Sequence, residues 1–319
     1  MTGPAPAEPQ PALRRLGPGA AGFLSLLVFL GLPLIPLLGA AVAILAPLPL
    51  AHLAASGRPS VLGWGWVAVG LGGLALATRE EWTMVLCAGY LLVTAWPAQA
   101  AEMWLRRPWS SGRWAAIVAL VTLTASAGLL VAFSWPGAPA DILGARFTAA
   151  MNEAGDLARI LGGSGMGGQE LVVRAASTAA YLAPAMVALY VLAVALWLRP
   201  RLAALGFPRG ADAFRDYTSE EWLPVGFVLG GAGWVFTGGT LKWLSANLLV
   251  TTLGLYFVAG LAIVFFYLGR RVGGSIWVRL GVALLAMQLP VAIVVSVLGL
   301  ADAFFPLRRS SAADGGQQT

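Results

Sequence analysis

Trp243, Asn247 and Gln288 carry hydrogen-bonding side chains into runs that are otherwise apolar, and His52 closes another such run. Hydrocarbon penalises polar groups, so those that occur inside it usually serve a ligand, a partner helix or an ion path. An amide offers donors and an acceptor, an indole one donor on a flat apolar plate, and histidine a proton that titrates near neutrality. Together these four residues could line a pocket for a small molecule, with Asn247 and Gln288 of the last two apolar segments sharing one cavity. The plainer role of the amides, Gln99 included, is an interhelical hydrogen bond worth about 1 kcal/mol. His52, at the end of its segment, can reach water. Asp302 ends the last segment with Arg308 and Arg309 as local partners.

Other chemistry is not written here. No pair of carboxylates interrupts an apolar run, and there is no GxxxxGK[ST], HExxH or GxSxG motif. Cys87 is the single cysteine and His52 the single histidine, which leaves no metal-ligand spacing. The expectation is therefore a non-enzyme without cofactor or metal, and transport driven by ATP would need a partner subunit. Gly163-Ser-Gly165-Met-Gly-Gly168 matches the letters of a dinucleotide fingerprint, but an amphipathic helical pattern precedes it where a strand is required. A flexible hinge is the better reading of those glycines.

The elements that must position these residues follow from the charge pattern. The chain is 59% hydrophobic and 11% charged, with mean hydropathy +0.80, whereas soluble domains carry about 25% charged residues. Its charges crowd into short windows: Arg106, Arg107 and Arg113; Arg199, Arg201, Arg209 and Arg215; Arg270, Arg271 and Arg279. Between them lie apolar runs of the roughly 20 residues that a 30 Å hydrocarbon core demands. The segmentation predicts two short crossings within 20–53, then crossings at 61–78, 82–101, 114–135, 175–197, 223–240, 244–268 and 276–301. Tryptophans such as Trp82, Trp104, Trp114, Trp197 and Trp243 fall near these boundaries, where indole rings prefer to sit. The fold class is all-α: a polytopic integral membrane helical bundle of eight or nine transmembrane helices.

Residues 1–19 read as a disordered lead and 310–319 as a disordered tail. Between them, 20–309 form one transmembrane domain, in two halves separated by an outer loop at 136–174 that carries an amphipathic helix. The net charge of +6 belongs to arginine loops beside apolar runs, so it reads as a topology signal rather than a nucleic-acid footprint. It places the N-terminus in the cytoplasm. Nine crossings then put Arg308-Arg309 outside, and a re-entrant N-terminal segment would bring the count to eight.

Trp243-Leu-Ser-Ala-Asn247, Leu255-Tyr-Phe-Val-Ala-Gly260-Leu-Ala-Ile-Val264 and Leu298-Gly-Leu-Ala-Asp302-Ala-Phe-Phe-Pro-Leu-Arg308-Arg309 stand in order. This text resembles the YybS-like family of predicted bacterial membrane proteins, domain-of-unknown-function family 2232. Pro47-Leu-Pro49-Leu, followed by Ser56-Gly57-Arg58 and a glycine-rich helix, is similar to energy-coupling-factor S components and to MreD-like proteins. The resemblances imply a multi-pass protein of the bacterial inner membrane. One implied function is a transporter-like or S-component-like subunit that binds a small molecule, partnered by the lipid bilayer and by other membrane subunits or an ATP-driven energising module. The alternative is a non-catalytic membrane scaffold or interaction protein of MreD-like type. Nucleic acid is not an expected partner.

Overall fold

Hydrocarbon offers the backbone no hydrogen-bond partner, so a segment that enters it must bond its own N–H and C=O groups. The structure, a computed structural model, describes residues 17–34, 43–107, 109–134, 177–204, 217–271 and 276–305, plus a few isolated positions. Among the described residues every regular element is helical. The outer amphipathic stretch expected between Leu143 and Leu161, the glycine run 163–168, most of the N-terminal lead and the C-terminal tail lie outside them.

Among the described residues five helices are long and apolar enough to cross a membrane: Val61–Thr78, Thr83–Trp104, Ser111–Ser134, Ala183–Arg201 and Gly239–Gly269. A sixth candidate is a pair, Leu280–Ala286 and Leu289–Phe304, bent by 98°. The chain divides into two compact units, one of residues 1–118 with 190–214 and one of residues 119–189 with 215–319.

The first unit holds α1 (Pro18–Leu34), α2 (Leu48–Ala55), α3 (Val61–Thr78), α4 (Glu81–Tyr90) and α5 (Trp96–Arg106). It also takes the start of α6 (Ser111–Ser134) and the end of α7 (Ala183–Ala204). Helices α1 and α3 begin side by side, so close that a methyl group on Gly22 would overlap the Gly63 carbonyl. Eight-residue α2, about 12 Å long, packs Ala51 against Ala101 of α5 and Val194 and Leu198 of α7. A π-helical turn at Leu91–Ala95 joins α4 to α5, with the Trp96 N–H donating to the Leu91 carbonyl. Pro97 accounts for it: proline has no N–H and its ring strikes the carbonyl four residues back, so the helix widens there instead of breaking.

In the second unit α9 (Gly239–Arg271) is the axis, 33 residues and about 50 Å long. Helices α8 (Leu223–Phe236) and α11 (Leu289–Phe304) both pack on it, and small residues set the distance. Gly226 faces Thr252 and Gly230 faces Leu249, so α8 runs antiparallel to α9. Gly260 abuts the Val295 carbonyl and Gly299 the Tyr256 carbonyl, which makes α11 antiparallel to α9 as well. Backbones this near leave no room for a side chain, the small-residue packing that membrane helices use in place of a hydrophobic driving force.

Two segments depart from the predicted crossings. Helix α8 stops at Phe236, about 21 Å from its start, because the chain turns through Gly239 at φ 58 directly into α9. The run 276–301 is not one straight crossing: α10 (Ile276–Ala286) ends before Gln288, whose extended backbone precedes Pro290 in the first turn of α11. A proline in that turn cannot continue the preceding helix, and the axis swings by 98°. Because α11 follows α9, α10 lies across their common direction, with Trp277, Leu280 and Leu284 exposed along one side.

Gly260→Ala is expected to destabilise the α9–α11 pair by about 1–3 kcal/mol, since the added methyl meets backbone rather than a movable side chain. Gly281→Ala on α10, which has open space around it, is expected to be neutral or stabilising by up to about 1 kcal/mol. Thermal unfolding of the two purified variants in detergent compares them directly.

Candidate functional site

Asn247 is fully buried in α9, and all of its bonds go to this chain. Its Oδ1 accepts the Ala185 N–H at 3.0 Å, while Nδ2 donates to the Tyr181 carbonyl at 3.1 Å and to the Trp243 carbonyl at 2.9 Å. The Trp243 indole N–H donates to the same Tyr181 carbonyl at 2.8 Å. Residues 177–181 are helical and α7 resumes at Ala183, so Asn247 bridges the Tyr181 carbonyl and the Ala185 N–H, an i, i+4 pair interrupted beside Pro184. Asn247 and Trp243, one turn apart on α9, therefore act as a side-chain cap for α7. Thr251 continues the pattern by donating to the Asn247 carbonyl at 2.8 Å.

The other two predicted residues stand elsewhere. Gln288 is exposed at the bend between α10 and α11, where its backbone carbonyl accepts the Ala292 N–H. His52 lies half-buried on α2, in the first unit. An open groove of ≈ 380 Å³ runs between α8 and α9, lined by Leu229, Leu241, Leu244 and Leu248 with Thr237 and Ser245. None of the four predicted residues lines it, and the Thr237 hydroxyl in its wall already donates to the Gly233 carbonyl at 2.5 Å. The groove suits an acyl chain better than a polar ligand.

A stronger polar centre lies in the first unit, around a residue that sequence reasoning passed over. Glu102 is only 4% exposed. Its Oε2 accepts the Ser60 N–H at 2.8 Å and the Ser60 hydroxyl at 2.5 Å, and its Oε1 accepts from Arg106 at 2.8 Å. Ser60 Oγ also lies 2.9 Å from the Gln99 amide oxygen. With one proton available, the hydroxyl serves the carboxylate, and a flipped Gln99 amide would donate to it. Ser60 is the cap residue of α3, yet its hydroxyl caps nothing. The carboxylate of α5 takes over that task, an anion at the positive end of a helix dipole. One sequence signal was available: a glutamate four residues before an arginine, the favourable order on a helix. It was masked because Glu102 opens an arginine-rich window that reads as a topological loop.

Around Glu102 the arginines and indoles are interleaved. The Arg199 guanidinium lies over Trp104 at 3.6 Å and near Trp114 at 5.2 Å from the ring centres. Trp104 and Trp114 meet edge to face at 5.5 Å, and the Trp114 N–H donates to the Ala100 carbonyl at 2.8 Å. Arg201 lies over Trp197 at 3.5 Å and donates to its carbonyl, and Arg107 sits over Trp109 at 4.9 Å. The windows 106–113 and 199–201 thus meet at one end of this unit.

Three buried polar atoms make no hydrogen bond within the described protein: Trp64 Nε1, Thr94 Oγ1 and Tyr256 Oη. Thr94 belongs to the π-helical turn, a feature frequent at functional positions.

A family model described as "Predicted membrane protein (DUF2232)" matches residues 23–303. That is most of the chain, which therefore belongs to this family of membrane proteins. No curated protein and no solved structure matches it.

Asn247→Ala is expected to cost about 2 kcal/mol, because it strands the buried Ala185 N–H and leaves the Tyr181 carbonyl with the Trp243 indole as its remaining side-chain donor. Glu102→Ala should cost about as much by releasing the start of α3 and the partner of Arg106, and Glu102→Gln, which keeps one acceptor, distinctly less. Thermal unfolding in detergent reads both, and hydrogen exchange at Ser60 and Ala185 locates each loss.

Proposed function

We propose that this member of the DUF2232 membrane-protein family is a non-catalytic scaffold or interaction protein of the bacterial inner membrane. The single observation behind this reading is the bonding of Asn247. The amide best placed to meet a ligand is committed on every side to the chain's own backbone. The other amide candidate of its unit, Gln288, is exposed at the bend between α10 and α11. A bundle whose polar groups brace its own helices is suited to presenting fixed surfaces to other membrane proteins.

In this reading the arginine-rich end of the first unit faces the cytoplasm. The start of α1 lies beside the start of α3 at that end, which supports a cytoplasmic start of α1.

The second reading is a small-molecule-binding subunit that works with other membrane subunits or an ATP-driven module. The observation favouring it is the set of buried polar atoms without protein partners, Trp64 Nε1, Thr94 Oγ1 and Tyr256 Oη, each of which a ligand could satisfy.

Native mass spectrometry of the full chain in nanodiscs made from its own membranes separates the two. The scaffold reading expects stoichiometric protein partners and no small-molecule adduct. A stoichiometric adduct that disappears in Thr94→Val or Tyr256→Phe, or a co-purifying ATPase subunit, would overturn it in favour of the second.

A further inference from the structure

We propose that the arginine–tryptophan end of the first unit is a binding site for the phosphate headgroup of an anionic phospholipid. The argument is independent of the scaffold reading, because it rests on a different part of the chain and on charge.

Separate segments deliver cations to this end. Arg106 and Arg107 close α5, Arg113 opens α6, Arg199 and Arg201 close α7, and Arg58 stands two residues before Ser60. Hydrogen bonds and ring contacts hold these segments together: Ser60 to Glu102, Trp114 to Ala100, and Arg199 against Trp104 and Trp114. Glu102 is the one carboxylate among the described residues of this end, and it is buried and already bonded to Ser60 and Arg106. Arg58, Arg107, Arg113 and Arg201 are exposed, so the end presents a net positive surface.

Its cations are suited to phosphate in particular. All are guanidinium groups, since the single lysine of the chain, Lys242, lies in the other unit beside Trp234. A guanidinium matches phosphate oxygens with two parallel donors, whereas an ammonium acts as a point charge. Stacking of Arg107, Arg199 and Arg201 on indole faces fixes the planes of these groups and directs their N–H edges sideways. That ordering would otherwise be lost entropy on binding.

Position selects a lipid as the source of the phosphate. The cluster terminates the apolar spans Thr83–Trp104, Ser111–Ser134 and Ala183–Arg201, so a bound headgroup would leave its acyl chains along hydrocarbon-facing helix surfaces. Indole rings prefer the headgroup level. An acidic protein face would satisfy the charges but would make no use of the adjoining apolar surface.

Native mass spectrometry of the purified full chain in detergent, with phosphatidylglycerol or phosphatidylcholine added, tests the assignment. Wild type is expected to retain phosphatidylglycerol at least tenfold better than phosphatidylcholine. The double variant Arg113→Gln, Arg201→Gln should lose roughly 25-fold in phosphatidylglycerol retention, about fivefold per arginine. The pair Arg113→Lys, Arg201→Lys should recover only part of that, and Lys242→Gln should change nothing. Melting temperatures of all variants are read in parallel, and if the glutamine pair does not fold, the lysine pair carries the comparison against Lys242→Gln. Equal retention of both lipids by wild type, or retention unchanged in the folded arginine variants, overturns the proposal and points to an acidic protein partner instead.

Discussion

Hydrocarbon accepts no hydrogen bonds, and the structure of this chain follows from where each polar group finds a partner instead. Along the helices the simplest solution is local. Ser126, Thr251, Thr252 and Ser296 each donate back to the carbonyl four residues earlier, which lets a hydroxyl sit in an apolar bundle without a second helix. Helix ends cannot be settled this way, because their orphan groups have no turn to bond to. They are settled by side chains from other helices: Asn247 and Trp243 at the start of α7, Glu102 at the start of α3.

These cross-links need helices that approach closely, and glycine supplies the approach. Gly226, Gly230, Gly260 and Gly299 place α8 and α11 so near α9 that backbone meets backbone. Gly22 and Gly63 do the same for α1 and α3. Proline has the opposite role, marking where a helix must change course. Pro97 is absorbed by a π-helical turn within a continuing span, whereas Pro290 coincides with the 98° bend between α10 and α11. The difference lies in what surrounds each. The turn before Pro97 keeps i→i+5 bonding and packs Ala95 into a buried cluster, but the residues at the second break, Met287 and Gln288, are exposed and no packing holds them in line.

The two polar centres divide the work of the fold. Around Asn247 every partner is backbone, which makes it a structural brace within one unit. Around Glu102 the partners include a charge, so the same carboxylate that caps α3 also holds Arg106. In the proposed scaffold reading, the brace would supply a fixed shape and the charged rim a defined level relative to the headgroups.

Much of this was legible from residue order alone. Apolar runs of the right length, arginine windows and boundary tryptophans are properties of local sequence, and they determined an all-helical membrane protein; the expected run 61–78 is the helix Val61–Thr78 itself. The family resemblance carried by the text around Asn247 and Gly260 agrees with the match over 23–303. What only the tertiary structure decided is which polar groups meet. The spacing of Asn247 and Gln288 leaves open whether they share a cavity; the Pro290 break exposes Gln288, and close packing on α9 commits Asn247 to the start of α7. Glu102 reads as a loop charge until Ser60, 42 residues earlier in the chain, is brought to it. Hydrophobic length is local and additive along the chain, whereas a hydrogen bond across helices depends on rotation and register that no single segment contains.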